Sequence, residues 1–148
     1  MTAIRHTTDH GRRRAVAPAM ALEAVALATM SALHLSGALT GGPKPFNQNP
    51  AGIAEAIICV ALAAGAIALV RRSPGSWRVA AGAVCFAIFG FFVGLYFSVQ
   101  GGDPIDLAFH ATMLPLLAIT LAALLLSTPS RTIHHASRKS NTQATGSQ

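Results

Sequence analysis

Charge is what this chain has least of. Charged side chains make up 11% of its 148 residues, and only five of them are acidic, against roughly 25% charged residues in an ordinary soluble domain. A water-facing globule could not cover itself with so little polarity, and a mean hydropathy of +0.50 points the same way. Cysteine is scarce too. Cys59 and Cys85 each sit inside an apolar run, with no Cys-x-x-Cys, so neither a disulfide scaffold nor a zinc ribbon is encoded. One domain's worth of residues cannot hold both a membrane bundle and a folded soluble enzyme. Any chemistry is therefore expected inside a membrane or at its surface.

Long apolar runs are what the chain has in abundance. Residues 1–14 are polar and end in Arg12-Arg13-Arg14; residues 15–39 are then apolar apart from Glu23, His34 and small hydroxyl residues. At 1.5 Å per residue that run spans roughly 30 Å of hydrocarbon. It is too long for a secretory signal peptide, carries an internal Glu and offers no small-residue cleavage site, which argues against the rival signal-peptide reading. A second span is expected over 51–70, where Asn49 caps and Pro50 opens the helix. The basic turn Arg71-Arg72-Ser73-Pro74-Gly75 leads to a third span over 79–100. Asp103 and Pro104 repeat the device of cap and proline before a fourth span over 105–127, with Pro115 as an expected kink. Residues 128–148 are polar and basic, composed like a disordered tail.

The sequence thus predicts an all-α membrane protein of four transmembrane helices in up-down-up-down order. Ten of its eleven basic residues lie in the two tails and around the Arg71 turn, and only Lys44 lies in the other loops. That asymmetry predicts cytoplasmic termini, with the Lys44 and Asp103 loops outside. Basic clusters that border apolar runs serve orientation and point to the lipid bilayer as partner, not to nucleic acid. An excess of Arg over Lys with abundant Ala suits a GC-rich bacterial genome, and so a bacterial plasma membrane. Trp77 and Tyr96 fall at the two expected interfaces. The two halves are weakly alike, each a hairpin whose outer turn has Gly-Gly and a polar residue followed by Pro.

A titratable group at mid-helix in hydrocarbon costs roughly 2.5–3.5 kcal/mol on insertion scales, so each needs a partner or a role. Glu23, His34, Glu55 and His110 are the four expected inside the spans. His34, Glu55 and His110 come out roughly 7–9 Å below the outer boundary at helical rise, one layer drawn from three helices. Met30, Cys59 and Met113 lie one turn deeper on the same faces. Imidazole with soft sulfur suits copper, Cu(I) in particular; a purely structural cluster, with a protonated Glu55 bonded to a histidine, is the plainer alternative. His34 and His110 at equal depth could also be the axial ligands of one haem b. Glu23 shares a face with His34, eleven residues on, and with Thr29 and Ser31 could begin a proton path, or simply be bonded within the bundle.

Asp103 and Asp106 occupy the cap and third position of the last helix, where the macrodipole favours acids; Asp106, four residues before His110, could also orient its ring. Gly90-x-x-x-Gly94 permits close helix approach, as do Gly52-x-x-x-Ala56 and Ala61-x-x-x-Gly65. Phe86, Phe89, Phe92 and Phe97 project too widely to pack entirely inward, and the marginally hydrophobic first span should pack internally.

Across 15–127 the four short spans and inward basic turns resemble, in architecture, the small bacterial four-helix membrane proteins that include the DoxX-like group; the resemblance implies a helical bundle and transfers no residue role. Vitamin K epoxide reductase relatives share a four-helix core, but their Cys-x-x-Cys is lacking. The function expected is a small transport or sensing component binding a metal, small ligand or proton. The alternatives are a non-catalytic structural subunit of a larger membrane complex, with other membrane subunits or copies of itself in a homo-oligomer as partners, and a haem- or quinone-linked oxidoreductase.

Overall fold

A computed structural model describes residues 3–39, 49–100 and 103–127, all in helices and their turns. The helices are α1 (Ala3–Leu35), α2 (Asn49–Arg71), α3 (Ser76–Val99) and α4 (Pro104–Leu126). Within them, Ala15–Leu35, Asn49–Arg71, Ser76–Val99 and Pro104–Leu126 are long and apolar enough to cross a membrane. The chain is a multi-pass membrane protein on that evidence. The Lys44 loop and the tail 128–148 lie outside the described residues.

The helix ends differ from expectation for local reasons. The first helix extends back to Ala3 and carries Pro18 inside it. It stops at Leu35, short of the expected 39. Gly37 takes φ +71°, Ala38 N–H donates to Leu33 C=O at 3.1 Å and Gly37 N–H to His34 C=O at 3.1 Å. These are the two bonds of a Schellman stop, which needs a left-handed residue that glycine supplies without steric cost. His34 therefore sits in the last turn. At the other turn α3 starts at Ser76, after Gly75 in the left-handed region. Asn49, expected as a cap, is the first residue of α2. Asp103 does cap α4, its side chain accepting from Ile105 N–H at 2.8 Å with Pro104 at the first turn. α4 continues unbroken through Pro115.

Each helix buries one stripe. In α3 it includes Ala80, Val84, Ala87, Phe91 and Ser98, and in α4 Asp106, His110, Met113, Leu117, Thr120 and Leu124. In α1, Val16, Met20, Glu23, Leu27, Met30 and His34 are buried. The alternating spacing of three and four is the seam of antiparallel or coiled helices. Every titratable residue expected inside the spans falls on such a seam. α1 buries 44% of its most apolar window against 28% in each of the others, so the least hydrophobic span turns most inward. Phe86, Phe89, Phe92 and Phe97 are all exposed, while Phe91 is 1% exposed and closes the core with Leu62, Val84 and Leu117.

Hydrocarbon does not drive apolar helices together, so close packing and polar contacts must. Glycine supplies the packing. A methyl on Gly65 would meet Met20 Cε at 2.6 Å and Ala80 Cα at 3.2 Å, so α1, α2 and α3 touch at this point; one on Gly52 would meet Leu35 Cγ at 2.8 Å. Gly90 packs on Ile58 of α2 and Gly94 on the ring of His110 in α4. The Gly90-x-x-x-Gly94 pair thus serves two neighbours rather than one.

Candidate cation site at the α3–α4 end

The last turn of α1, the first turns of α2 and α4 and the last turn of α3 meet at one end of the bundle. Four titratable residues gather there, all on the buried seams: His34, Glu55, Asp106 and His110, at 4–8% exposure. Such burial takes them largely out of solvent, so their partners decide what they can do.

His34 Nδ1 donates to Glu55 Oε2 at 2.7 Å, a bond between α1 and α2. One turn earlier Ser31 Oγ donates to the carbonyl of Gly52 at 2.7 Å, which registers the two helices and places His34 opposite Glu55. With Nδ1 held, Nε2 of His34 faces Asp106 Oδ1 at 3.7 Å. His110 Nδ1 donates to the backbone carbonyl of Asp106 at 2.9 Å and lies 3.1 Å from its Oδ1. A carbonyl only accepts, so Nδ1 carries a proton, and the ring's other nitrogen is Nε2. That nitrogen lies against Gly94. Ser98 Oγ reaches Asp106 Oδ2 and the carbonyl of Gly94 at 3.0 Å.

Two oxygens in this cluster, Glu55 Oε1 and Asp106 Oδ1, are buried without a hydrogen-bond donor. One ligand atom each from His34, Glu55 and Asp106 lies within 4.8 Å of the others. The spacing suits a shared cation, and the donors are one nitrogen and two carboxylates.

Among the expected site residues, His34, Glu55 and His110 are thus brought into one cluster. Asp106, expected chiefly at the helix start, turns its carboxylate into the bundle and stands between the two imidazoles. Its contact with His110 is the ring-orienting one; its contact with His34 was not foreseen. Met113 belongs to the apolar core with Leu117 and Phe91, Cys59 packs against that core, and Met30 is buried on α1. Asp106 Oδ1 stands between the two rings, 3.7 Å from His34 Nε2 and 3.1 Å from His110 Nδ1. Cys85 is exposed.

Glu23 lies apart, toward the other end. Thr120 Oγ1 donates to its Oε1 at 2.6 Å across α1 and α4, and Oε2 has no hydrogen-bond partner. Thr29, expected as a polar step from Glu23, instead donates to Val25 C=O on its own helix at 3.0 Å and is exposed. Ser31 is spent on Gly52. No described hydrogen bond links Glu23 to the cluster.

Ser98 is the residue that sequence reasoning missed. Its signal was phase: it lies seven residues after Phe91 and eleven after Ala87, on the buried stripe of α3. Compared with known proteins, the chain matches no family model, no curated protein and no solved structure.

Proposed function

We propose that this chain is a small transport or sensing component of a bacterial plasma membrane, in up-down-up-down order with cytoplasmic termini, whose His34–Glu55–Asp106 cluster binds a divalent transition-metal ion. The observation that carries this reading is the convergence of three ligand atoms from α1, α2 and α4 within 4.8 Å, next to two buried carboxylate oxygens that have no donor. A dication with two carboxylates and a neutral imidazole sums to zero charge. Hydrocarbon demands that neutrality, because an uncompensated charge there is costly. Nitrogen with carboxylate oxygen suits zinc, iron(II) or manganese better than Cu(I), which prefers thiolate and thioether. The asymmetry of basic residues supports the orientation.

Three protein ligands leave room for a water or substrate atom in a fourth position, as in open zinc sites. His110 and Ser98 hold Asp106 from behind, a supporting role that commonly changes metal affinity by about 10–100-fold. The 2.7 Å bond between His34 and Glu55 favours a second reading, a helix lock in a structural subunit or homo-oligomer.

Metal content of the detergent-purified chain, followed by calorimetric titration with zinc, manganese and iron(II), separates the two. One ion per chain that is lost in Glu55→Gln supports the metal site. No binding of any of the three by a folded chain overturns it and leaves the lock.

A further inference from the structure

A cleft of about 630 Å³ runs between α2 and α3 down to the same cluster. Its walls are apolar and aromatic, among them Phe86, Phe89 and Phe97, which are 45%, 69% and 51% exposed on the faces the helices turn to lipid. Its inner end carries Glu55, Ser98, Asp106 and His110. Gly90 and Gly94 line it too, and the lack of a side chain at Gly94 is what lets the His110 ring approach α3. A volume of several hundred cubic ångströms with apolar walls and a few converging polar groups is the ordinary form of a small-molecule site.

The chemistry of that inner end selects the ligand. Its unpaired hydrogen-bonding atoms are carboxylate oxygens: Glu55 Oε1 and Asp106 Oδ1 have no donor. Carboxylates make the end anionic unless a cation is present, and aromatic faces attract cations as well. A neutral lipid chain would leave these acceptors unpaired, and an anionic headgroup would be repelled.

We infer that this cleft binds a lipid-soluble ammonium ion, an apolar body whose protonated amine seats at Glu55 and Asp106 and whose carbon skeleton lies among the phenylalanines. The inference rests on the reading of the cluster as a cation site, and it adds an organic cation entering from the bilayer as its ligand class. A metal ion and the ammonium then compete for the same two carboxylates.

The test uses dansylcadaverine, a fluorescent ring system on an alkyl chain ending in a primary ammonium, with the full chain in lipid nanodiscs and protein-free nanodiscs as background. Expected is saturable, blue-shifted fluorescence at one probe per chain. Its N-acetyl form, neutral and nearly isosteric, should bind at least about tenfold more weakly, a difference of about 1.4 kcal/mol. Glu55→Gln should weaken the probe by a similar factor. Ala54→Phe, at an exposed position on the cleft wall, should block the probe while leaving zinc titration unchanged; it supplies no ligand atom to the cluster and guards against a folding artefact of the first variant. Zinc should displace the probe competitively wherever zinc binds. Equal binding of the acetylated form, indifference to both substitutions, or zinc bound without displacing the probe overturns the inference. Zinc binding with no probe binding overturns it and leaves the metal site standing; probe binding with no metal binding overturns the metal reading alone.

Discussion

Two buried carboxylates of this bundle sit in different company. Glu23 is served by one residue, Thr120, across one helix pair, and neither the cleft nor the second cavity, by the Arg71–Trp77 turn, reaches it. Glu55 belongs to a group drawn from all four helices, with a histidine bonded to it, a second carboxylate nearby and an aromatic-walled cleft leading in. Both have an oxygen without a donor. An orphaned oxygen alone therefore does not mark a ligand site. At Glu23 the surrounding seam residues Met20 and Leu27 are wholly buried, so a single hydroxyl bond tethers α1 to α4. At Glu55 the excess of acceptors over donors is concentrated where several side chains could close on one cation.

Substitutions can break or sharpen that contrast. The largest effect is expected from Asp106→Asn, which keeps the shape but removes a charge from the cluster: zinc affinity should fall by about 100-fold or more, read by titration calorimetry on a variant whose helical circular dichroism is unchanged. An undiminished affinity would remove the distinction between the two regions. Gly94→Ala comes next. The added methyl would collide with the His110 imidazole, a rigid ring, so a loss of about 1–3 kcal/mol in unfolding stability is expected. Gly90→Ala meets the Cδ1 of Ile58 at 2.5 Å, the far end of a flexible side chain, and should cost less. Equal losses at the two glycines would show that the α3–α4 contact is no tighter than the α2–α3 one. The smallest effect is expected from Thr120→Val, an isosteric change that takes the only hydroxyl from Glu23. Interhelical hydrogen bonds in membranes average about 0.6 kcal/mol and reach about 1.7, so melting in detergent should register a loss in that range. Zinc titration should not move; a change there would mean that Glu23 belongs to the cation site after all.

Much of the fold could be read from residue order. Four spans separated by Gly, Pro and basic turns follow from hydropathy, and Asp103-Pro104 marks a helix start because the side chain and the missing amide solve the same problem of orphan N–H groups. The first span was read too long because Ser36-Gly37, a helix stop, lies inside an apolar run and hydropathy is blind to it. Placing His34, Glu55 and His110 in one layer needed only helical rise. Asp106 was harder, since an acid in the first turn of a helix already has a sufficient explanation in the macrodipole. Its phase with His110, Met113 and Leu117 was the overlooked clue.

The membrane-spanning character of the helices, their number and the presence of Glu23, His34, Glu55 and His110 inside them were decided by the sequence, because scarce charge and long apolar runs act locally, residue by residue, against hydrocarbon. Which polar residues meet was decided only by the tertiary structure. The approach of α3 to α4 at Gly94, the bond from Ser31 to Gly52 that sets α1 against α2, and the turn of Asp106 between two imidazoles depend on helix rotation and register. Those are set by how small residues and side-chain donors fit across helix pairs, and no single helix carries that information.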